Sequence, residues 1–457
     1  MRNTGSVDMT QGNPMKLLFH FTIPLILGNI FQLTYNTVDT IIVGRFASEG
    51  ALAAVGTCDP IMSLLILGVS GICVGASVLM SNFLGAGKYD QLKQEFQTTL
   101  ILGSFFALFV LVSGFAAAEQ ILRILQTPDA IMKDSAVYLR VIFLGMPFNC
   151  IYNIYSAALR SIGDSRTPVR YLVISSVINM VLDVLFVAGF GWDVFGAGFA
   201  TVIAQAVSAV LCVIYVSKHV TILQLDWKKA GIDKNLAKKT ISYGGLTALQ
   251  QCSQPIGKLC IQGTVNALDS VATIAAFNAI GKIEDIGLLP GRSISDAIMT
   301  FVAQNDGSGN KERIKKGFRQ GIFLEFLAGI LVCVTVCLFR NPLMHLFTSD
   351  PEIVKEGIAY FAFMAFMYWL PCMTNGHQGY FRGTGAMKTV LGGTLTQITL
   401  RVIATMILVP RIGVTGVGFA CVIGWSAQCA WQIPYSVYKS NHAIKESMHK
   451  KKRGQEE

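Results

Sequence analysis

Twelve separate stretches of this chain are each long and apolar enough to need a non-aqueous solvent: about 17–44, 51–82, 96–118, 136–159, 168–190, 195–218, 238–267, 272–304, 318–339, 357–381, 388–410 and 415–439. A helix rises about 1.5 Å per residue, so about 20 apolar residues cross a bilayer. In lipid every backbone polar group must be satisfied within the protein, and segments of this length do so only as helices. Charged residues make up 14% of the 457 residues, against about 25% in a soluble chain. Folded in water, such a chain would have no water-compatible surface. The expectation is an all-α integral membrane protein. A disordered chain, a soluble nucleic-acid-binding factor and a secreted disulfide scaffold are excluded together. The eleven cysteines form no CxxC pair and lie mostly in apolar stretches, as small buried hydrophobes. The polar first 16 residues, followed by an overlong apolar run, do not read as a cleavable signal.

The net charge of +10 is a matter of topology. If the N-terminus is cytoplasmic, 26 basic residues fall inside: Arg2, Lys16, Lys88, Lys93, three in 160–170, six in 218–239, five in 311–319, Arg382, Lys388, and six from Lys439 to Arg453. Six fall outside: Arg45, Arg123, Lys133, Arg340, Lys355 and Arg411. The positive-inside rule then predicts both termini in the cytoplasm and a multi-pass protein of the cytoplasmic membrane. The run Lys450–Arg453 reads as a solvated anchor.

The chain repeats itself. Gly85-Ala-Gly87 with Phe96 matches Gly307-Ser-Gly309 with Phe318. Arg160-Ser-Ile-Gly163 matches Arg382-Gly-Thr-Gly385, and Tyr138 matches Tyr360, all at an offset of 222. Gly196-Ala-Gly198-Phe-Ala200 matches Gly416-Val-Gly418-Phe-Ala420 at 220. The reading is an N-terminal lobe of six spans (1–218), a cytoplasmic linker (219–238), a C-terminal lobe of six spans (239–440) and a basic cytoplasmic tail (441–457). An even number of spans per repeat puts both lobes the same way up, related by a pseudo-two-fold axis along the membrane normal. That is a transporter architecture, with the substrate path at the repeat interface.

Ionisable residues inside a membrane cost several kcal/mol and are functional candidates by default. In the first half these are Asp39, near the end of the first span, and Asp183 in the fifth, one helical turn from Asn179. Counting along each helix places Asp39, Asp183 and Thr201 about 8, 10 and 9 Å from the outer surface. Tyr138 sits near the outer start of the fourth span. Two carboxylates in a low dielectric resist being ionised together, so such a pocket can take up and release a proton. With the oxygens of Asn179 and Thr201 it could hold Na⁺ at Asp39, Asn179 and Asp183. The alternative is local: Asp39 at the interface, Asp183 hydrogen-bonded to Asn179.

Read at these offsets, Asp39, Asp183 and Thr201 match Ile261, Ile403 and Cys421, which predicts an ion site in one lobe only. The second half instead carries Lys258, Lys282, Glu284, Asp285, Arg292, Asp296 and Glu325, some pairing among themselves or lying outside the hydrocarbon. Pro24 interrupts the first helix's hydrogen-bond ladder and is either a conformational hinge or a static packing feature. Pro60, Pro255 and Pro290 have less support. Arg160, Gly163, Asp164 and Pro168 form a structural turn. There is no P-loop, HExxH or GxSxG, and the six histidines form no metal set. No catalytic residue and no cofactor is expected.

Taken in order, the Pro24 span with Val38-Asp39-Thr40, Gly85-Ala-Gly87, Ala158-Leu-Arg160-Ser-Ile-Gly163-Asp164 with Pro168, Asn179…Asp183 and Gly196-Ala-Gly198-Phe-Ala-Thr201 resemble the multidrug and toxic compound extrusion (MATE) family. The resemblance covers nearly the whole length. It implies a V-shaped protein of two six-helix lobes that expels drugs by alternating access in exchange for H⁺ or Na⁺. It also implies a pocket at Asp39, Asn179, Asp183 and Thr201, with Tyr138 a weaker match. One branch of the family carries acids in the seventh and tenth spans. Here none lies between Ile241 and Leu268 or between Ile358 and Phe381, so the chain is similar to the DinF-like branch. The expected function is a secondary antiporter for amphipathic, cationic organic compounds. It would be solvated by membrane lipids, monomeric, not an enzyme, and without nucleic-acid partners. The rival is a flippase for a lipid-linked sugar or polysaccharide, which would favour a large basic cavity. Basic residues within spans are few: Arg140, Lys258, Lys282, Arg292 and Arg401.

Overall fold

A computed structural model describes residues 7–48, 50–225 and 233–456, with side chains to residue 445. Its described residues form α1 (Pro14–Phe46), α2 (Ala51–Gly85), α3 (Tyr89–Ile124), α4 (Asp129–Ser161), α5 (Arg166–Asp183), α6 (Asp193–His219), α7 (Lys234–Asn266), α8 (Val271–Gly287), α9 (Leu289–Gly307), α10 (Lys311–His345), α11 (Pro351–Met364), α12 (Trp369–Gly383), α13 (Met387–Ile412) and α14 (Thr415–Glu456). No strand occurs among them. A π-helical turn, Val184–Gly189, continues α5. Each expected span falls on helix, but two are broken. The eighth is α8 plus α9, parted at Leu288, with Pro290 where a missing N–H costs nothing. The tenth is α11 plus α12, bent by 60° just before Pro371.

By length and composition alone, eight of the described helices can cross a membrane, or nine with the bent pair. The expected spans at α7, α8–α9 and α14 are not among them. Of the expected linker, 226–232 lie outside the described residues, as do the tail side chains of Lys450–Arg453.

The bilayer's mark is an apolar face with nothing over it. Phe105, Phe109 and Val112 of α3 lie at helical spacing and are 68%, 69% and 62% exposed, while Ala107, Val110 and Gly114 on the same helix are buried. Such a surface is unfavourable in water and suits an apolar surrounding such as lipid.

The chain divides into two compact units. The first comprises residues up to Asp8, Pro24–Leu84 and Lys88–Ala248. The second comprises Met9–Ile23, Gly85–Gly87 and Leu249 onward. Both α1 and α7 are therefore divided: the start of α1 counts with the second unit, and the start of α7 with the first.

In the first unit α2 and α7 approach backbone to backbone. A Cβ at Gly71 would lie 2.4 Å from Ala248 Cα, and one at Gly75 would lie 2.5 Å from Gly244 N. Small residues one turn apart allow this contact, as is usual between helices in membranes. Buried Glu95 of α3 ties to α7, accepting hydrogen bonds from Thr240 Oγ1 (2.8 Å) and from Thr99 Oγ1 of its own helix (3.2 Å). In the second unit, Arg313 of α10 donates to the carbonyls of Met9 (3.0 Å), Gln11 (2.8 Å) and Gly12 (2.8 Å).

Inside each unit the repeat recurs as geometry. Phe96 meets Tyr155 edge-on at 5.1 Å, and Phe318 meets His377 edge-on at 5.4 Å, each pair 222 apart. Left-handed glycines recur at the same interval: Gly87 and Gly309, Gly163 and Gly385, Gly191 and Gly413. The last pair shows that the offset of 222 persists to the end of α5 and α13, so the two-residue deletion falls in the following turn. The counterpart of Asp183 is then Thr405 and that of Asn179 is Arg401, which corrects the pairing with Ile403. Burial agrees: Asp183 and Thr405 are both 0% exposed, whereas Ile403 is 49% exposed.

Candidate functional site

Two helices of the first unit bring acids together, and a third carries one that acts on them. Asp39 stands on α1, Asp59 on α2 and Asp183 on the last turn of α5. Asp39 and Asp183 are within hydrogen-bond reach of each other, and Asp59 adds a further negative charge acting on Asp39. Among the described residues no basic side chain pairs with either of the two. Asp39 Oδ1, both Asp183 oxygens, and Asn179 Oδ1 and Nδ2 are buried without a hydrogen-bond partner among the described residues. The local alternative, Asp183 satisfied by Asn179, is therefore not what is found.

Buried polar atoms are rarely left unpaired, because each costs about 1–3 kcal/mol. Two facing carboxylates cost more. At about 4 Å and an effective dielectric of about 20, unit charges repel by about 4 kcal/mol. A pair of this kind is relieved by one proton shared between the oxygens or by a monovalent cation between them. The π-helical turn starts immediately after Asp183, and such turns are common at functional positions.

The other expected residues fall as follows. Tyr138 of α4 is buried and packs against α6, where a Cβ at Gly198 would lie 3.3 Å from its ring. Its phenol lies within the field of Asp39, Asp59 and Asp183. Thr201 of α6 is half-buried and gives its hydroxyl hydrogen to Ala197 O of its own helix at 3.1 Å. Pro24 lies inside α1, fifteen residues from Asp39, and is the first residue of α1 that counts with the first unit. The sequence reading missed Tyr35 and Asp59. Tyr35 is one turn before Asp39 and feels both Asp39 and Asp183; the i, i+4 spacing was the available signal.

Charges of the second unit pair among themselves, as expected for some of them. Asp285 lies 3.4 Å from Lys258 and 3.3 Å from Arg292. Glu284 accepts hydrogen bonds from the hydroxyls of Tyr360 (2.7 Å) and Tyr368 (2.9 Å). Glu325 is fully buried, its oxygens unpartnered among the described residues. No cluster of three metal-binding side chains occurs among the described residues.

Known proteins frame this arrangement. The MatE family model matches residues 24–185 and 247–407, one segment in each repeat. The chain is 27% identical over 417 residues to the probable multidrug resistance protein YpnP of Bacillus subtilis, covering 90% of this chain and 92% of that protein. It is 30% identical over 339 residues to the probable multidrug resistance protein YoeA of the same organism, covering 73% of each. Its fold matches the outward-facing conformation of a multidrug resistance MATE family transporter of the MOP superfamily, with a TM-score of 0.92 at 22% identity over 97% of this chain and all of that one. With the repeated six-span pattern and the family model spanning both halves, this chain belongs to the MatE family of multi-pass membrane transporters.

Proposed function

We propose that this chain is a secondary active exporter that expels amphipathic, cationic organic compounds by alternating access in exchange for protons. The observation that carries the reading is the Asp39–Asp183 pair: two carboxyl groups in reach of each other, without a donor or basic partner among the described residues. The proton is the exchanged substrate of that pair. Asn179 and Tyr138 shape the pocket, and Asp59 and Tyr35 set the local field. Pro24 lets α1 adopt two shapes, since it has no N–H to close the ladder there.

A ligand shifts a two-state equilibrium only through its different affinity for the two states. Proton uptake must therefore favour the state that releases the drug, and proton loss the state that binds it. The Lys and Arg distribution supports cytoplasmic termini, hence a drug path running outward across the cell membrane. The relatives named for multidrug resistance favour an exporter over a flippase for lipid-linked sugars. Na⁺ is the second reading, favoured by the free oxygen of Asn179, which would add a third ligand.

Dye efflux from proteoliposomes tests both. A pH gradient or a Na⁺ gradient is imposed separately on wild type and on Asp183→Asn. Efflux driven by the pH gradient and lost in the variant supports the proposal, and drive by Na⁺ alone replaces the proton with Na⁺. If neither gradient moves a cationic dye, the antiporter reading fails.

A further inference from the structure

A second concavity, away from the carboxylate pair, lies wholly within the second unit, at the basic end of α10. Its volume is about 690 Å³. Two sets of hydrogen bonds build it. Arg313 holds the carbonyls of Met9, Gln11 and Gly12 against α10, which brings the first turn of α1 alongside. Lys315 Nζ donates to Asn441 Oδ1 at 2.8 Å, which brings in α14. Met15 and Ile444 from those helices, with Phe323 of α10, supply apolar walls. Lys315, Lys316, Arg319 and Glu312 supply the charge, three positive against one negative. Among the described residues, Lys316 and Arg319 make no hydrogen bond or ion pair. Gln320, also in the wall, has a buried Oε1 without a hydrogen-bond partner among those residues.

The same face of α10 changes character one turn on. Phe323, Leu327, Leu331, Val334 and Leu338 follow Arg319 at steps of three or four residues and are between 47% and 68% exposed. At about 1.5 Å per residue this apolar track runs about 22 Å, longer than half of a hydrocarbon core about 30 Å thick. Topology asks for basic residues at one end of a span, but not for a walled recess that opens onto such a track. A basic recess continued by an apolar track fits an anion carried on a hydrocarbon chain. We propose that this recess binds the headgroup of an anionic phospholipid, whose acyl chain lies along the track from Phe323 to Leu338. Arg319 and Lys316 take the phosphate, for which the planar guanidinium is well shaped. Gln320 Oε1 accepts from a headgroup hydroxyl, as in phosphatidylglycerol. The lipid thereby completes the junction of α1, α10 and α14 and neutralises two charges that lack a protein partner. The site is independent of the ion-exchange reading of the first unit.

Native mass spectrometry of the full-length protein in detergent tests this, with dioleoylphosphatidylglycerol or dioleoylphosphatidylcholine added in steps. Wild type should hold one phosphatidylglycerol in preference to phosphatidylcholine. Each cation removed weakens an anionic lipid about fivefold. Lys315→Gln/Lys316→Gln/Arg319→Gln should therefore lose about a hundredfold for phosphatidylglycerol and leave phosphatidylcholine unchanged. If losing the Lys315 bond disturbs α14, Lys316→Gln/Arg319→Gln, at two exposed positions, should still lose about twenty-five-fold. Lys218→Gln/Lys234→Gln/Lys238→Gln removes as much charge from exposed positions of the first unit and should bind as wild type. Phe323→Asp keeps all three cations, charges the start of the track and should weaken phosphatidylglycerol. Glycerol phosphate, a headgroup without a chain, should not displace the lipid at equal concentration. Wild-type affinity for phosphatidylglycerol in both α10 charge variants overturns the proposal. An equal loss in the first-unit variant also overturns it, because net charge alone would then explain the attraction. Displacement by glycerol phosphate makes the recess a site for a soluble anion, and unchanged binding by Phe323→Asp removes the track; either result refutes the lipid.

Discussion

Replacing Asp183 by Asn removes one charge from the facing pair and leaves shape and volume almost unchanged. The two carboxylates are within hydrogen-bond reach, so their mutual repulsion is about 4 kcal/mol at an effective dielectric of about 20. A bound monovalent cation gains that amount by relieving it. At 1.4 kcal/mol per decade, losing the repulsion lowers cation affinity about a thousandfold. Drug binding, which on this reading does not require the second charge, persists. The expected behaviour is uncoupling. Wild-type efflux from proteoliposomes accelerates when the ion gradient is imposed, whereas variant efflux is the same with and without it. Dye binding to purified protein, followed by fluorescence anisotropy, separates loss of coupling from loss of substrate. Gradient-driven efflux by Asp183→Asn at the wild-type rate would refute the reasoning, because the site would then bind its ion without the pair.

Other expectations follow from the same geometry. Asp39→Asn should uncouple in the same way, and Asp39→Asn/Asp183→Asn should be no worse than either single variant, since residues sharing one site are not additive; gradient-dependent efflux of all three checks this. Gly75→Leu should yield no folded protein, because its side chain would enter the backbone of α7 at Gly244. Gly56→Leu, with nothing within 4 Å of its Cβ position, should express normally on size-exclusion chromatography. Thr240→Val removes a donor to buried Glu95 and should cost about 1–3 kcal/mol, read as a lower melting temperature in detergent. Arg313→Ala removes the hydrogen bonds that hold the carbonyls of Met9, Gln11 and Gly12 and should raise amide exchange in residues 9–12.

The spans were legible because length against bilayer thickness is a strong constraint. Their breaks were not. The stretch 357–381 carries no charged residue, so it reads as one span, and the 60° bend between α11 and α12 just before Pro371 interrupts it. Asn179 and Asp183 were legible as one helix face, and Asp39 as an acid at similar depth. That Asn179 leaves Asp183 unsatisfied depends on side-chain orientation, which spacing does not carry. The counterpart of Asp183 was misplaced because the Gly196 motif has an offset of 220. Only the left-handed glycines at 191 and 413 locate the deletion after α5. The tyrosine clamp on Glu284 joins residues 76 and 84 positions apart, and nothing local in the sequence announces it.

The division of α1 and α7 between units has a meaning for how such a chain is made. The first unit holds the start of α7, and the second holds Met9–Ile23 at the start of α1. With an offset of 222 these are equivalent segments, given reciprocally, as in a domain-swapped dimer whose two copies have been joined end to end. The covalent halves are thus not the two compact units. Cut in the loop between α6 and α7, each half would lack a segment that its own core expects and would carry one meant for the other. Co-produced halves should therefore assemble into a working transporter, while either half alone should be degraded. During synthesis the second unit can be completed only by a segment made earlier, which makes Met9–Ile23 a late-closing clasp.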